Sequence, residues 1–143
     1  MLTSLARLKH ISNFSLFTSV SPLLKIRITH DNLTVMGPGK ADLLDAIQTY
    51  GSISAAAKSM HMSYRRAWEL VDLMNQSFQE PLVKTSPGGS NGGGAQVTEL
   101  GLFVLASYRT LVTKTNAATE RELNGIAASL KLALAVDSDS ISI

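Results

Sequence analysis

Apolar and polar residues alternate through Leu24, Lys25, Ile26, Arg27, Ile28 and Thr29, and a second apolar run follows at Leu33–Met36. Period two puts one apolar and one polar face on an extended chain. Asp31-Asn32 lies between the runs, and both side chains tolerate left-handed backbone. A β-hairpin over 24–36 is predicted. Gly37-Pro38-Gly39 then breaks the strand, and the period changes to that of a helix from about Lys40 to Tyr50. Leu43, Leu44 and Ile47 mark its buried face, with Tyr50 at the end of it. Gly51 suits the left-handed residue that closes a helix.

The stretch from Gly51 to Phe78, GSISAAAKSMHMSYRRAWELVDLMNQSF, carries two more helices. Ser52 or Ser54 caps a short one that runs to about Met60, since a serine oxygen accepts from the free N–H groups of a first turn. Ala55, Ala56 and Ala57 are small enough for a second helix to pack closely against them. His61-Met62 makes the turn, and Ser63 caps a longer helix from Tyr64 to about Phe78. Ala67, Leu70, Val71, Met74 and Phe78 fall on its core face, while Arg65, Arg66, Glu69, Asp72 and Gln76 face outward. Trp68 is read as mostly structural, because tryptophan is usually well buried.

Short strands are predicted at Pro81–Thr85 and Gln96-Val97, around the glycine-rich loop SPGGSNGGGA. Such a pair forms a wing. Thr98 then caps a helix predicted from Glu99 to about Ser129. Leu100, Phe103, Val104, Ser107, Tyr108, Leu111, Val112 and Thr115 give it a stripe of apolar and small residues. The stripe is longer than one small core needs, which predicts a partner helix from a second copy. The divisions expected are an arm over 1–22, a winged domain over 23–97, a dimerisation helix over 98–129 and a tail over 130–143.

The 143 residues include no cysteine, which excludes disulfides and thiolate chemistry. Net charge is only +2, so any phosphate contacts must come from local placement of charge. No apolar run reaches the roughly 18–20 residues that span a bilayer. Arg7, Lys9 and His10 precede ISNFSLFTSVSPLL, which loosely resembles a signal peptide, but polar residues interrupt it and no A-x-A site follows. A cytoplasmic protein with a loosely docked arm is expected, with no membrane partner.

The helix-turn-helix layout places Tyr64, Arg65 and Arg66 in the first turn of its second helix, where such motifs touch base edges. Arginine bonds guanine O6 and N7 in a bidentate way. The duller reading is a pair of solvated arginines, or partners of Glu69 at helical spacing. In the wing, Lys84, Thr85, Ser86, Ser90 and Asn91 could bond phosphates that glycine backbone lets approach; a floppy loop would have the same composition. GPGK (Gly37–Lys40) lacks the span and trailing Ser/Thr of a phosphate loop, and GGSNGGG lacks its lysine. His10, His30 and His61 show no paired metal spacing. No Ser/His/Asp or paired-carboxylate arrangement is visible, so no enzyme is expected.

LKIRI, GPGKADLLDAI, GSISAAAKSMHMSYRRAWELVDLMN and EPLVKTSPGGSNGGGAQVTELG together resemble the N-terminal DNA-binding domain of the ModE family of molybdate-responsive transcription regulators. The resemblance covers about Leu24 to Ala118. It implies a LysR-type winged helix-turn-helix in a homodimer. Ser63, Tyr64, Arg65 and Arg66 would be recognition contacts, and Ser52, Ser54 and the Lys84–Gly94 wing backbone contacts. The last long helix would carry the dimer. The family's two molybdate-binding β-barrels would follow Ser129, where fourteen residues remain. The Ser-Ala-Arg-Asn type of oxyanion segment is also absent, so no cofactor is expected; molybdate is one the resemblance allows, and its sensing is assigned to no residue.

The fold class expected is mainly α (α+β), a winged helix-turn-helix with an N-terminal β-hairpin and a long C-terminal dimerisation helix. The function expected is a dimeric, sequence-specific regulator of double-stranded DNA. Two alternatives stay open. One is a protein-interaction module that kept the scaffold but lost DNA. The other is a small-molecule or oxyanion sensor acting through the dimer.

Overall fold

The computed structural model describes residues 24–88 and 93–131. Residues 24–118 form one compact unit, and the chain from Thr119 onward belongs to another. The expected arm over 1–22, and the tail apart from Leu130 and Lys131, lie outside the described residues.

The first unit opens with β1 (Ile28–His30) and β2 (Leu33–Met36), paired antiparallel. Asp31 and Asn32 both take positive φ, at 48° and 63°. That is the type I′ turn whose twist matches the two strands it joins. The hairpin is shorter than its alternating pattern implies. Ile28 already pairs with Met36, and Gly37 begins the next helix, so 24–27 has no partner strand among the described residues.

Three helices follow: α1 (Pro38–Tyr50), α2 (Ile53–Ser59) and α3 (Tyr64–Ser77). Pro38 sits in the first turn of α1, where its missing N–H is no loss. Gly51 closes α1 at φ 73° and donates to the Ile47 carbonyl. Ser52 is the cap of α2, accepting from the Ala55 N–H at 3.0 Å, so Ser54 is already helical. His61 takes φ 54°, and Met62 N–H reaches back to the Ala57 carbonyl at 3.0 Å. This left-handed closure turns the chain sharply into α3. Ser63 caps α3 by accepting from the Arg66 N–H at 3.1 Å.

Leu43, Leu44 and Ile47 of α1, Ala56 and Ala57 of α2, and Ala67, Val71 and Met74 of α3 form the centre of the core. The alanines let α2 lie close to its neighbours. Tyr50 is exposed, contrary to the expectation for the end of the α1 face. It adjoins the turn at Gly51, past the last residue that α1 buries.

The wing is β3 (Val83–Thr85) and β4 (Ala95–Val97), antiparallel, with Lys84 opposite Gln96. Two clamps fix its base. Asn75 of α3 donates to the Val83 carbonyl at 3.0 Å and accepts from the N–H groups of Leu82 and Val83 at 2.9 and 3.1 Å. Ala95 N–H donates to the Gly51 carbonyl at 2.8 Å.

Helix α4 (Glu99–Ala118) follows. Thr98 accepts from the Gly101 N–H at 3.0 Å and donates to the Pro81 carbonyl at 2.8 Å. Arg109 ties α4 to α1 through Asp42 at 2.8 Å and Asp45 at 2.5 Å. Those carboxylates hold the guanidinium pKa above its ordinary value. The single helix predicted from Glu99 to about Ser129 is instead two. Thr119 leaves helical geometry at φ −108°, ψ 10°, and α5 (Glu120–Ala128) begins anew. Threonine is a weak helix former. Glu120 and Glu122 then favour a fresh start by facing the positive end of α5.

Candidate nucleic-acid interface

The first turn of α3 is open to solvent. Tyr64, Arg65 and Arg66 are all exposed, and the Arg65 side chain is 90% so. Arg65 Nε bonds Glu69 Oε1 at 3.1 Å, one helical turn on. The pair anticipated as the duller reading therefore exists. An exposed pair at this spacing is worth only ~0.3–0.5 kcal/mol. It uses Nε and leaves the terminal nitrogens of a fully charged group for another acceptor.

The two flanks of α3 differ. Tyr64 and Trp68, one turn apart, face the wing. With Ser54, Thr85 and Ser86 they line a cleft of about 310 Å³ whose remaining wall includes Gly93 and Gly94 backbone. Ser86 N–H donates to the Gly94 carbonyl at 2.9 Å, which holds the cleft's rim. Arg66 lies on the other flank. It makes no ion pair among the described residues.

Trp68 corrects the sequence reading. It is 48% exposed and part of this surface rather than of the core. The core face of α3 is centred on Ala67, Val71 and Met74, and Trp68 sits about 100° around the helix from Ala67. Its spacing from Tyr64 was the signal available.

The other expected contacts are placed as follows. Ser54, Thr85 and Ser86 join Tyr64 at the cleft. Lys84 is exposed on β3. Ser52 and Ser63 use their side-chain oxygens as helix caps. Asn91 lies outside the described residues.

On α4 the stripe divides. Phe103, at 67% exposure, lines an open concavity of about 610 Å³ with Ser107, Leu111 and Thr115. Leu100 and Val104 pack partly against the core. Tyr108, expected at a dimer contact, is buried in its own domain at 3% exposure. Its hydroxyl donates to the Ile26 carbonyl at 2.7 Å, and burial raises its pKa above the ordinary tyrosine value.

No family model matches the chain. Among curated proteins it is 38% identical over 104 residues to the molybdenum transport protein ModE of Azotobacter vinelandii, covering 73% of this chain and 38% of that one. The winged helix is ModE-like. Identity to the DNA-binding transcriptional dual regulator ModE of Escherichia coli K12 is 39% over 74 residues, or 52% of this chain and 28% of the relative. To the molybdenum-pterin-binding protein MopA of Rhodobacter capsulatus it is 41% over 76 residues, 53% and 29%. The chain thus spans about a third of the length of these curated relatives. A full-length LysR-type regulator, LysG of Corynebacterium glutamicum with bound arginine, aligns at 26% identity and TM-score 0.45, over 68% of this chain and 31% of that one.

Among the described residues, no three His, Asp or Glu side chains gather as a metal site. None of the described helices is long and apolar enough to cross a membrane.

Proposed function

We propose that this ModE-like domain is a dimeric, sequence-specific DNA-binding transcription regulator. One observation carries the reading. The open first turn of α3 presents Tyr64 and Arg65 beside a wing rooted by Asn75 and Gly51. Helix α3 lies in the major groove, Arg65 and Arg66 read base edges, and Lys84 and the wing backbone rest on phosphates. Phe103, Ser107, Leu111 and Thr115 of α4 meet their counterparts in a second copy. Twofold symmetry then sets the two α3 helices about 34 Å apart, on a pseudo-palindromic site. No residue of the described domain is assigned to molybdenum.

Selection of bound sequences from a random DNA pool tests the proposal. The expected result is a pseudo-palindrome with guanines at fixed positions. Arg65→Ala or Arg66→Ala should each cost about 1–3 kcal/mol on that site and relax its specificity. A pool that yields no enriched sequence would leave the scaffold as a protein-interaction module.

A further inference from the structure

On the flank of α3 that faces away from the wing, a concavity of about 510 Å³ gathers four cations, Lys25, Arg27, Lys40 and Arg66. They come from the segment before β1, the first turn of α1, and the first turn of α3. None of the four pairs with a carboxylate among the described residues. Lys40 is 7% exposed, and its ammonium donates to the Thr34 carbonyl, leaving two of its three donors without a partner among the described residues. The Arg27 stem passes Gly37 closely; its Cγ lies 3.6 Å from where a β-carbon on Gly37 would sit. Gly37 and Gly39 line the same hollow, at the positive end of a 13-residue helix that has neither a side-chain cap nor an acidic residue in its first turn.

Like charges drawn together without a counter-charge cost free energy. Burial and the nearby Arg66 and Arg27 all push the Lys40 ammonium below its ordinary pKa. An anion seated between Lys25, Arg27 and Lys40 would reverse that cost and leave Arg66 to the base edges. The chemistry fits a tetrahedral oxyanion, which accepts from guanidinium, ammonium and backbone N–H groups at once.

We propose that this concavity is a phosphate seat, filled by the DNA backbone on the side of α3 opposite the wing. The choice of source rests on the reading of α3 as a DNA-recognition helix. A helix in the major groove, about 12 Å wide, has a sugar–phosphate strand along each side. The wing serves one strand, and this cluster serves the other. Free inorganic phosphate offers the same chemistry without the duplex.

Two measurements test the seat, each on the full chain and on Lys25→Gln/Arg27→Gln. The first follows the Gly37, Gly39 and Lys40 amides by NMR during titration with inorganic phosphate. They should shift in the parent and not in the double variant. The second is the salt dependence of DNA affinity, whose log–log slope changes by about 0.9 for each phosphate that the protein no longer neutralises. With the seat's one phosphate left to its counterions, the variant should lose about threefold less affinity than the parent between 50 and 200 mM salt.

Amide shifts with an altered slope establish the DNA phosphate as occupant. Amide shifts with an unchanged slope keep the oxyanion seat but overturn the DNA source in favour of a free anion. An unchanged slope with no amide shift overturns the proposal altogether. A parent that binds no DNA defeats the reading of α3, while the phosphate titration still decides the seat. If the double variant fails to fold, Lys25→Gln alone, at an exposed position, should change the slope in the same direction and by less.

Discussion

Asn75→Ala should loosen the wing and destabilise the whole domain. The carboxamide holds three backbone groups, the Leu82 and Val83 N–H and the Val83 carbonyl, all between 2.9 and 3.1 Å. Each such bond contributes about 0.5–1.5 kcal/mol net, and a buried group left without a partner costs more. Asn75 is only partly buried, so water can replace some of what is lost. Together these give about 2–4 kcal/mol. For a domain of this size 1 kcal/mol moves Tm by about 4–8 °C, so the transition should fall by about 10 °C or more. Asn75→Asp is the sharper comparison. It keeps an oxygen for both N–H groups, loses the donor to the Val83 carbonyl, and should fall between parent and alanine variant. Urea denaturation gives the free energies, and hydrogen exchange at Val83 N–H reports the local opening. A loss below about 0.5 kcal/mol in Asn75→Ala would refute the clamp, since even one net bond is worth that much.

Gly101→Ala places a methyl 2.3 Å from the Leu82 carbonyl oxygen and 2.6 Å from Val97 Cγ1, so α4 must lift off the base of the wing. Overpacking of about 1–3 kcal/mol or more should outweigh the gain in helix propensity of about 1 kcal/mol; a higher Tm would contradict the close approach. His61→Gly removes a left-handed strain worth about 1 kcal/mol and should raise Tm, an effect that disappears if His61 does not hold positive φ. The depressed pKa of Lys40 means that the unfolded chain binds its proton more tightly than the folded one. Stability should therefore rise with pH between the lowered folded value and about 10.5, the ordinary lysine value. Other groups largely cancel in the difference between parent and Lys40→Met, measured by urea unfolding at about pH 7 and about pH 10. That difference should move in favour of the parent as pH rises, and the opposite drift would refute the sign.

The helix-turn-helix was legible because local chemistry decides it. Ser63 caps α3, Gly51 closes α1, and Ala67, Val71 and Met74 keep strict helical spacing. The hairpin turn was legible for the same reason, since Asp31-Asn32 accepts positive φ in both places. Tertiary context decided what was missed. The alternation at 24–27 looks like a strand, but pairing ends where β2 gives way to α1. Trp68 follows its average burial in the sequence reading and its angular position in the fold. Tyr108 shares the period of an outward stripe, yet its hydroxyl reaches the Ile26 carbonyl 82 residues away. The cationic hollow has no motif at all. Lys25, Arg27, Lys40 and Arg66 meet only because the segment before β1, α1 and α3 converge.

The root of the wing is pinned from two sides, to the helix before the tip and to the corner between α1 and α2. Those anchors act on Leu82, Val83 and Ala95, at the base of the wing. The glycine-rich tip can therefore be lengthened, shortened or rewritten without tilting α3. Under the proposed reading of α3 as a recognition helix, such edits would retune how firmly the domain grips a duplex while leaving its preferred bases alone.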